Sequence, residues 1–235
     1  MKHKIITTAD GSKTIHLPEW NETYHSKHGA IQEAEHVYIQ AGLDFRLKSN
    51  KTKVLNILEF GFGTGLNAFL SLLYAQQNQV KLNYHSIEKY PISQQMIDEV
   101  NYAEILGVDN KEFYSLHDVE WQRSIAIHEF FKLKKLKADL RAFENDIQFD
   151  VIFFDAFGPR VQPELWEKSV LQKCYDMMNE DAVWVTYSCK GQVKRDLQDV
   201  GFYVEKIPGP PGKREMLRAV KSLAKSQRRK ESKKS

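Results

Sequence analysis

Asp155 follows the apolar residues Val151 to Phe154 and opens the segment Asp155-Ala156-Phe157-Gly158-Pro159. A carboxylate directly behind an apolar run is costly to bury unpaired, so it either faces a crevice or has a partner. Such a group can orient an amine nucleophile and take its proton, while Phe157 offers a flat surface for a nucleobase or a cofactor. A second chemical segment runs from Glu59 to Asn67, where Gly61, Gly63 and Gly65 let the chain turn sharply and let a ligand lie against bare backbone. It departs from the dinucleotide fingerprint GxGxxG, because its third glycine comes one residue early and Leu66 fills the expected place. Glu88 is suited to accept from both hydroxyls of a ribose and Asp118 from an adenine amino group; the plainer alternative is that both cap helices. Tyr187, in Tyr187-Ser188-Cys189-Lys190-Gly191, is placed to pack on a substrate, and Lys213 and Arg214 to hold a phosphate or simply to cap and pair. Cys189 has no Pro-Cys motif or obvious base beside it, and Cys174 falls on an apolar helical stripe. The two cysteines, fifteen residues apart, give neither a disulfide framework nor zinc spacing, and His25 and His28 lack nearby carboxylates, so no metal is expected.

These residues need strands and helices to bring them together. Residues 5–20 read as two short strands around the turn Asp10-Gly11. Residues 30–47 read as a helix and connector, flanked and interrupted by Gly29 and Gly42. Strands are expected over 55–60, 84–88, 113–117, 149–154, 181–187, 202–207 and 214–220. Helices are expected after the glycine loop, with Leu66, Phe69, Leu70 and Leu73 on one face, and over 92–106 and 192–200. Pro163 opens another helix, with Trp166, Val170, Cys174 and Met177 along one stripe. The near-continuous apolar run Phe149-Asp150-Val151-Ile152-Phe153-Phe154 reads as a central parallel strand covered on both faces. Residues 127–143 read as an amphipathic helix with Lys132, Lys135, Lys137 and Arg141 off its apolar side, either a solvated helix or a basic lid. The alternation defines a doubly wound α/β fold: a mostly parallel seven-stranded sheet whose last strand, joined without a helix, runs antiparallel.

Composition narrows the class. The 235 residues are 42% hydrophobic and include 13 Phe, 10 Tyr and 4 Trp, enough for a real core, which excludes wholesale disorder. No apolar run approaches the roughly 20 residues of a membrane span, and the start lacks the apolar core of a signal peptide, so a cytoplasmic protein with no membrane partner is expected. The net charge of +3 is uneven: residues 221–235 hold seven Lys or Arg and one Glu, leaving 27 basic and 30 acidic residues before them. The domain is mildly acidic and its tail basic; the tail is either a solubilising end or a salt-sensitive attachment to RNA. Three segments follow: a hairpin and helix extension over 1–48, a core over 49–220 with a basic helical insertion at 119–148, and a disordered basic tail over 221–235.

The ExGxGxG spacing resembles the first motif of class I methyltransferases, which places the glycines at the amino-acid part of S-adenosylmethionine and Glu59 near its charged end. The Asp155 segment resembles in role the Asp/Asn-Pro-Pro-aromatic motif of amino methyltransferases. Taken together, LEFGFGTGLNAFL, FFDAFGPRVQPELW, TYSCKGQVKRDLQDVGF and GKREML are similar in order and spacing to one family. It is the methyltransferase domain of the tRNA 5-methylaminomethyl-2-thiouridine biosynthesis enzymes, and the similarity covers roughly residues 20–220. The stretch Tyr24-His25-Ser26 to Gly29 resembles that family's N-terminal YFS…G segment, with His25 in place of Phe. The resemblance implies S-adenosylmethionine as cofactor, tRNA as partner, and methylation of the aminomethyl nitrogen at C5 of the wobble uridine. It implies Asp155 as the catalytic contact to that amine and as a cofactor neighbour, with Tyr24, Ser26, Glu59, Gly61, Gly63, Gly65, Asn67, Glu88 and Asp118 at the cofactor. Phe157, Pro159, Tyr187, Lys213 and Arg214 then face the substrate. Some members carry a flavin-dependent second domain; with no second glycine-rich unit, a stand-alone methyltransferase without flavin is expected. Two other readings use the same residues: a small-amine methyltransferase or polyamine synthase on this fold, and a non-catalytic tRNA-binding protein.

Overall fold

The computed structural model describes residues 3–49 and 54–222, so all but Lys221 and Ser222 of the expected basic tail lies outside the described residues. The chain opens with β1 (Lys4–Thr7) and β2 (Lys13–Leu17), antiparallel around the Asp10-Gly11 turn as expected, and adds a short β3 (Glu22–Thr23). A continuous helix follows: α1 (Ala30–Ala34), a π-helical segment (Glu35–Asp44) and α2 (Phe45–Ser49). The core then alternates β4 (Val54–Phe60), α3 (Leu66–Asn78), β5 (Lys81–Glu88), α4 (Gln94–Glu99), α5 (Tyr102–Leu106), α6 (Asn110–Asp118), β6 (Ser124–His128) and β7 (Phe131–Lys137). It continues with β8 (Phe149–Phe154), α7 (Lys168–Asp176), β9 (Met178–Thr186), α8 (Gly191–Asp199), β10 (Tyr203–Pro208) and β11 (Glu215–Val220).

The main sheet has eight strands in the order β10-β11-β9-β8-β4-β5-β7-β6, one more than expected. β7, β5, β4, β8 and β9 run parallel, β11 runs antiparallel to both of its neighbours as expected, and β6 pairs antiparallel on the far edge. The chain winds outward from β4 through β5 to β7, then returns to place β8 on the other side of β4. That reversal opens a crevice beyond the carboxyl ends of β4 and β8, where sheets of this kind bind ligands. Every residue of β8 is buried, because both faces are covered. Val151 and Phe153 pack with the long N-terminal helix and α3, while Ile152 and Phe154 pack with Trp166, Leu171 and Trp184.

Three expectations are corrected. Residues 113–117, expected as a strand, lie in helix α6: Asp109 caps it by accepting from the Lys111 N–H at 2.9 Å, and Phe113 and Leu116 bury one face. Residues 127–143, expected as a basic amphipathic helix, form the β6–β7 hairpin and a short 3₁₀ turn (Leu140–Ala142), so the basic helical insertion at 119–148 does not exist. The cause is Lys135, an inward residue of β7 that is only 1% exposed. Phe131, Leu133 and Lys135 alternate inward, but a lysine in the third place hides the strand period and leaves apolar residues at apparent helical spacing. Its ammonium donates to the His117 carbonyl at 2.6 Å and lies 5.3 and 5.0 Å from the ring centroids of Phe62 and Trp121. The helix expected over 92–106 is broken in two at Val100-Asn101, where Asn101 accepts from the Lys13 N–H and donates to the Gly11 carbonyl, anchoring the N-terminal hairpin.

Gly42 lies inside the N-terminal helix, where glycine has poor intrinsic propensity. A Cβ there would meet Val185 Cγ2 at 3.0 Å and Phe153 Cε1 at 3.1 Å, so its absence sets how closely the helix approaches β8 and β9. Gly42→Val is expected to cost about 1–3 kcal/mol through overpacking, read as a lower urea midpoint at unchanged slope; an unchanged midpoint contradicts this packing.

Candidate active site

A cavity of about 890 Å³ lies at the carboxyl ends of β4, β5 and β8 and is closed on one side by the N-terminal segment. The glycine loop forms its floor. Gly61 and Gly63 have positive φ, 92° and 51°, and a Cβ on Gly61 would stand 2.9 Å from the Asp155 carbonyl oxygen, while one on Gly63 would press on the Tyr24 ring at 3.1 Å. The Gly63 N–H donates to Glu88 Oε2 at 3.1 Å and the Tyr90 N–H to Glu88 Oε1 at 2.7 Å, which fixes this carboxylate at the end of β5. Asp155 is pinned through its backbone N–H to the Phe60 carbonyl at 3.1 Å. The loop after it is equally tied: Tyr187 Oη donates to the Ala156 carbonyl, Gln162 accepts from the Phe157 N–H, and Trp166 Nε1 donates to the Phe157 carbonyl. Phe157 thus stands as a fixed wall, with Trp20 and Tyr24 edge-on to it at 5.6 and 5.2 Å.

The Asp155 carboxyl receives two donors, Tyr38 Oη on Oδ1 at 2.5 Å and Asn67 Nδ2 on Oδ2 at 2.8 Å. Burial nevertheless pushes its pKa up to about 7; the two donors oppose that rise, Glu33 adds to it and Lys213 opposes it. Lys213 is not free to hold a phosphate: its Nζ pairs with Glu33 Oε1 at 2.6 Å and sits 4.1 Å from the Tyr187 ring centroid. Glu33 Oε2 accepts from the Ser26 N–H at 2.7 Å, so one buried carboxylate ties the N-terminal segment to the loop between β10 and β11. Burial raises the Tyr24 phenol to about 12, with Glu88 adding to the effect, and lowers His25 to about 4. His25 is buried against Tyr102, its Nδ1 3.1 Å from Thr14 Oγ1.

Of the expected site residues, the structure brings Tyr24, Ser26, Gly61, Gly63, Asn67, Glu88, Asp155, Phe157, Tyr187 and Lys213 to this cavity. Glu59 does not line it: the side chain is fully buried beneath the floor. Gly65 lies just outside the lining, with positive φ where the loop enters α3, and Pro159 and the exposed Arg214 also stand outside it. Asp118 is displaced for a structural reason, since it ends helix α6 rather than a strand and faces Lys135. The acidic residue at the end of the strand next to β5 is Asp139, which lines the cavity. Arg141, donating to it at 2.7 Å, and Lys89 at 3.0 Å hold its pKa well below the usual carboxylate range. Recognising β7 by its period-2 pattern would have found Asp139. Tyr38 carried no signal, because it reads as one more apolar helical position.

This chain has known relatives. The profile of a family described as S-adenosyl-L-methionine-dependent methyltransferases matches residues 112–222. The "tRNA 5-methylaminomethyl-2-thiouridine biosynthesis bifunctional protein MnmC" of Leptospira borgpetersenii is 32% identical over 213 residues, 84% of this chain and 32% of that protein. The protein of the same name from Leptospira interrogans is 31% identical over 216 residues, 85% of this chain and 32% of its own length. The chain therefore spans about a third of the length of the curated relatives it matches. The crystal structure of MnmC2 from Aquifex aeolicus superposes with a TM-score of 0.78 at 29% identity, covering 94% of this chain and 70% of that one. Fold, glycine floor and profile define a class I S-adenosylmethionine-dependent methyltransferase. Within that class the chain is similar, over most of its own length, to the MnmC-type methyltransferases.

Asp155 gives a pH prediction. Its folded-state pKa of about 7 lies above the ordinary aspartate value of 3.8, so the stability linked to its proton is complete below the unfolded value and is lost as pH rises through about 7. Asp155→Asn, which cannot ionise, is expected to gain Tm relative to the parent protein between about pH 4 and pH 8. An equal Tm difference at both ends of that range contradicts the assignment.

Proposed function

We propose that this protein transfers a methyl group from S-adenosylmethionine to the nitrogen of 5-aminomethyl-(2-thio)uridine at the tRNA wobble position, giving the 5-methylaminomethyl form. The observation that carries the reading is the Asp155 carboxyl, held by two donors at the edge of an aromatic-walled cavity and tuned close to neutrality. The residues present fit the cofactor. Gly61 and Gly63 leave bare backbone where side chains would collide, Glu88 presents an oriented carboxylate suited to a ribose diol, and Asp139 takes the adenine-side role expected of Asp118. Asn67 and Ser26 complete the amino-acid end of this set. S-adenosylmethionine supplies, when bound, an electrophilic methyl group on a positively charged sulfur.

What the protein must do is deliver a neutral amine. An alkylamine with a pKa of about 10 is mostly protonated near neutral pH and has no lone pair to offer. Asp155, with its own pKa near 7, accepts an ammonium N–H and takes that proton before the transfer, leaving a neutral nitrogen oriented with its lone pair free to form the new N–C bond. Tyr38 and Asn67 each occupy one lone pair of a different carboxyl oxygen, leaving the rest for the substrate. Phe157 and Tyr187 give the uracil ring a flat seat beside that base. The domain division belongs to the same reading: residues 49–220 carry the transfer and residues 1–48 cover the cavity. Acting on tRNA puts the reaction in the cytoplasm, and no helix among the described residues is long and apolar enough to cross a membrane.

Incubating the purified protein with S-adenosylmethionine and tRNA containing aminomethyl uridine, followed by nucleoside mass spectrometry, is expected to show the methylaminomethyl nucleoside. Asp155→Ala is expected to lose a factor on the order of 10²–10⁴ in turnover while S-adenosylmethionine affinity, read by calorimetry, changes little. Normal cofactor binding with no methylation of this tRNA contradicts the reading, and methylation of a free polyamine instead moves it to small amines.

A further inference from the structure

Glu59 sits in the motif position expected beside the cofactor, yet the strand points it away from the cavity and it has no solvent exposure. One oxygen is accounted for: Ser86 Oγ, across the β4–β5 pairing, donates to Glu59 Oε2 at 2.5 Å. The other, Oε1, has no partner of good geometry. Asn67, in the first turn of α3 and 3% exposed, shows the matching defect: its Nδ2 donates to Asp155, while its Oδ1 is buried without a partner. The Asn67 amide neighbours both carboxyls, and Tyr84 Oη, also buried without a partner of good geometry, neighbours Glu59. Buried acceptors left unpaired are destabilising, and two neighbouring acceptors can be satisfied together by one shared proton. None of the ion pairs among the described residues involves Glu59, so it has no cation to neutralise it.

We propose that Glu59 works as a neutral carboxylic acid whose Oε1–H donates to Asn67 Oδ1, locking that amide so that its Nδ2 faces Asp155; Glu59 is thereby a positioning residue for the base. An amide has two orientations, and the reversed one would set its oxygen against the Asp155 carboxylate. A protonated Glu59 selects the productive orientation. An ionised Glu59 would instead draw the NH₂ group to itself and strip Asp155 of a donor. Burial and the Asp155 charge favour keeping the proton, while Ser86, Asn67 and Tyr84 oppose it as hydrogen-bond donors, and burial outweighs them. Asp155 after β8 and Glu33 on α1 are acidic, Tyr84 on β5 and Tyr38 on the π-helical segment are phenols that burial keeps protonated, and Ser71 and Ser86 are uncharged. Lys213, the one cation in reach of Asp155 among the causes of its shift, is already paired with Glu33. Consistent with the geometry, burial pushes Glu59 up to about 8, above Asp155 at about 7, and the Asp155 charge adds to the rise. The two titrate as a coupled pair in which the upper site gives up the last proton and leaves both carboxyls ionised.

The turnover part of this inference rests on the methyl-transfer reading; the protonation part does not, and the test separates them. Infrared spectra of the purified full chain are expected to show a protonated-carboxyl C=O band at neutral pH that is absent in Glu59→Gln and fades as pH rises through about 8. Absence of that difference band overturns the proposal, whatever the enzyme methylates. In turnover with tRNA, Glu59→Gln, which keeps both a donor and an acceptor, is expected to stay near wild-type kcat and to lose the alkaline fall-off. Glu59→Ala is expected to lose about tenfold in kcat, the worth of one hydrogen bond at the base, with KM for S-adenosylmethionine little changed. A Gln variant as impaired as the Ala variant, or one with the wild-type alkaline limb, also overturns it. A Glu59 band with no tRNA methylation by any form removes the substrate assignment and leaves the neutral acid standing.

Discussion

The Asp155 carboxyl sits where burial pulls its proton affinity up while Tyr38 and Asn67 pull it down, and the surrounding architecture exists to hold that balance. The reversal of winding at β4 and β8 puts it at the open edge of the sheet, and its backbone N–H is locked to Phe60. The π-helical segment brings Tyr38 within a short hydrogen bond, and the first turn of α3 brings Asn67. Wide helical turns inside a longer α-helix are uncommon and concentrate at functional sites, which suits a segment whose one chemical task is to aim Tyr38. A base near neutrality can both ionise and accept a proton under ordinary conditions, which a fully solvated aspartate with a pKa of about 4 does poorly.

The same economy explains the cover. Residues from the N-terminal hairpin and helix reach the cavity from outside the main sheet, and Glu33 joins them to the β10–β11 loop through Ser26 and Lys213. This pairing places one acid and one base in reach of Asp155, with opposed effects on its pKa. On the other side, Arg141 and Lys89 keep Asp139 ionised. Three carboxyls thus stand around one cavity in different states: Asp139 anionic, Asp155 poised, and Glu59 below the floor held neutral by burial.

Much of this was legible in the residues, and the failures have causes. β4, β8 and the glycine loop between β4 and α3 announce themselves because buried parallel strands read as apolar runs and tight turns need glycine. The hairpin at Asp10-Gly11 follows from turn chemistry. The β6–β7 hairpin was hidden by Lys135, whose charge is satisfied by a carbonyl and two rings that no local pattern reveals. That one misreading carried two others with it: a strand placed at 113–117 and Asp118 assigned in place of Asp139. Glu59 was identified as chemically special, but which way a strand residue faces at the end of β4 depends on register against β5, and register is a property of the assembled sheet. Tyr38 and Glu33 were invisible because their partners lie far along the chain.

The proposed reaction is methylation of an aminomethyl nitrogen on tRNA in this cavity. Mass spectrometry of tRNA nucleosides from cells lacking this protein, set beside their parent, tests it most directly. The account predicts accumulation of aminomethyl uridine and loss of the methylaminomethyl form, both reversed by the wild-type gene and not by Asp155→Ala. An unchanged nucleoside profile in the deletion strain would contradict it.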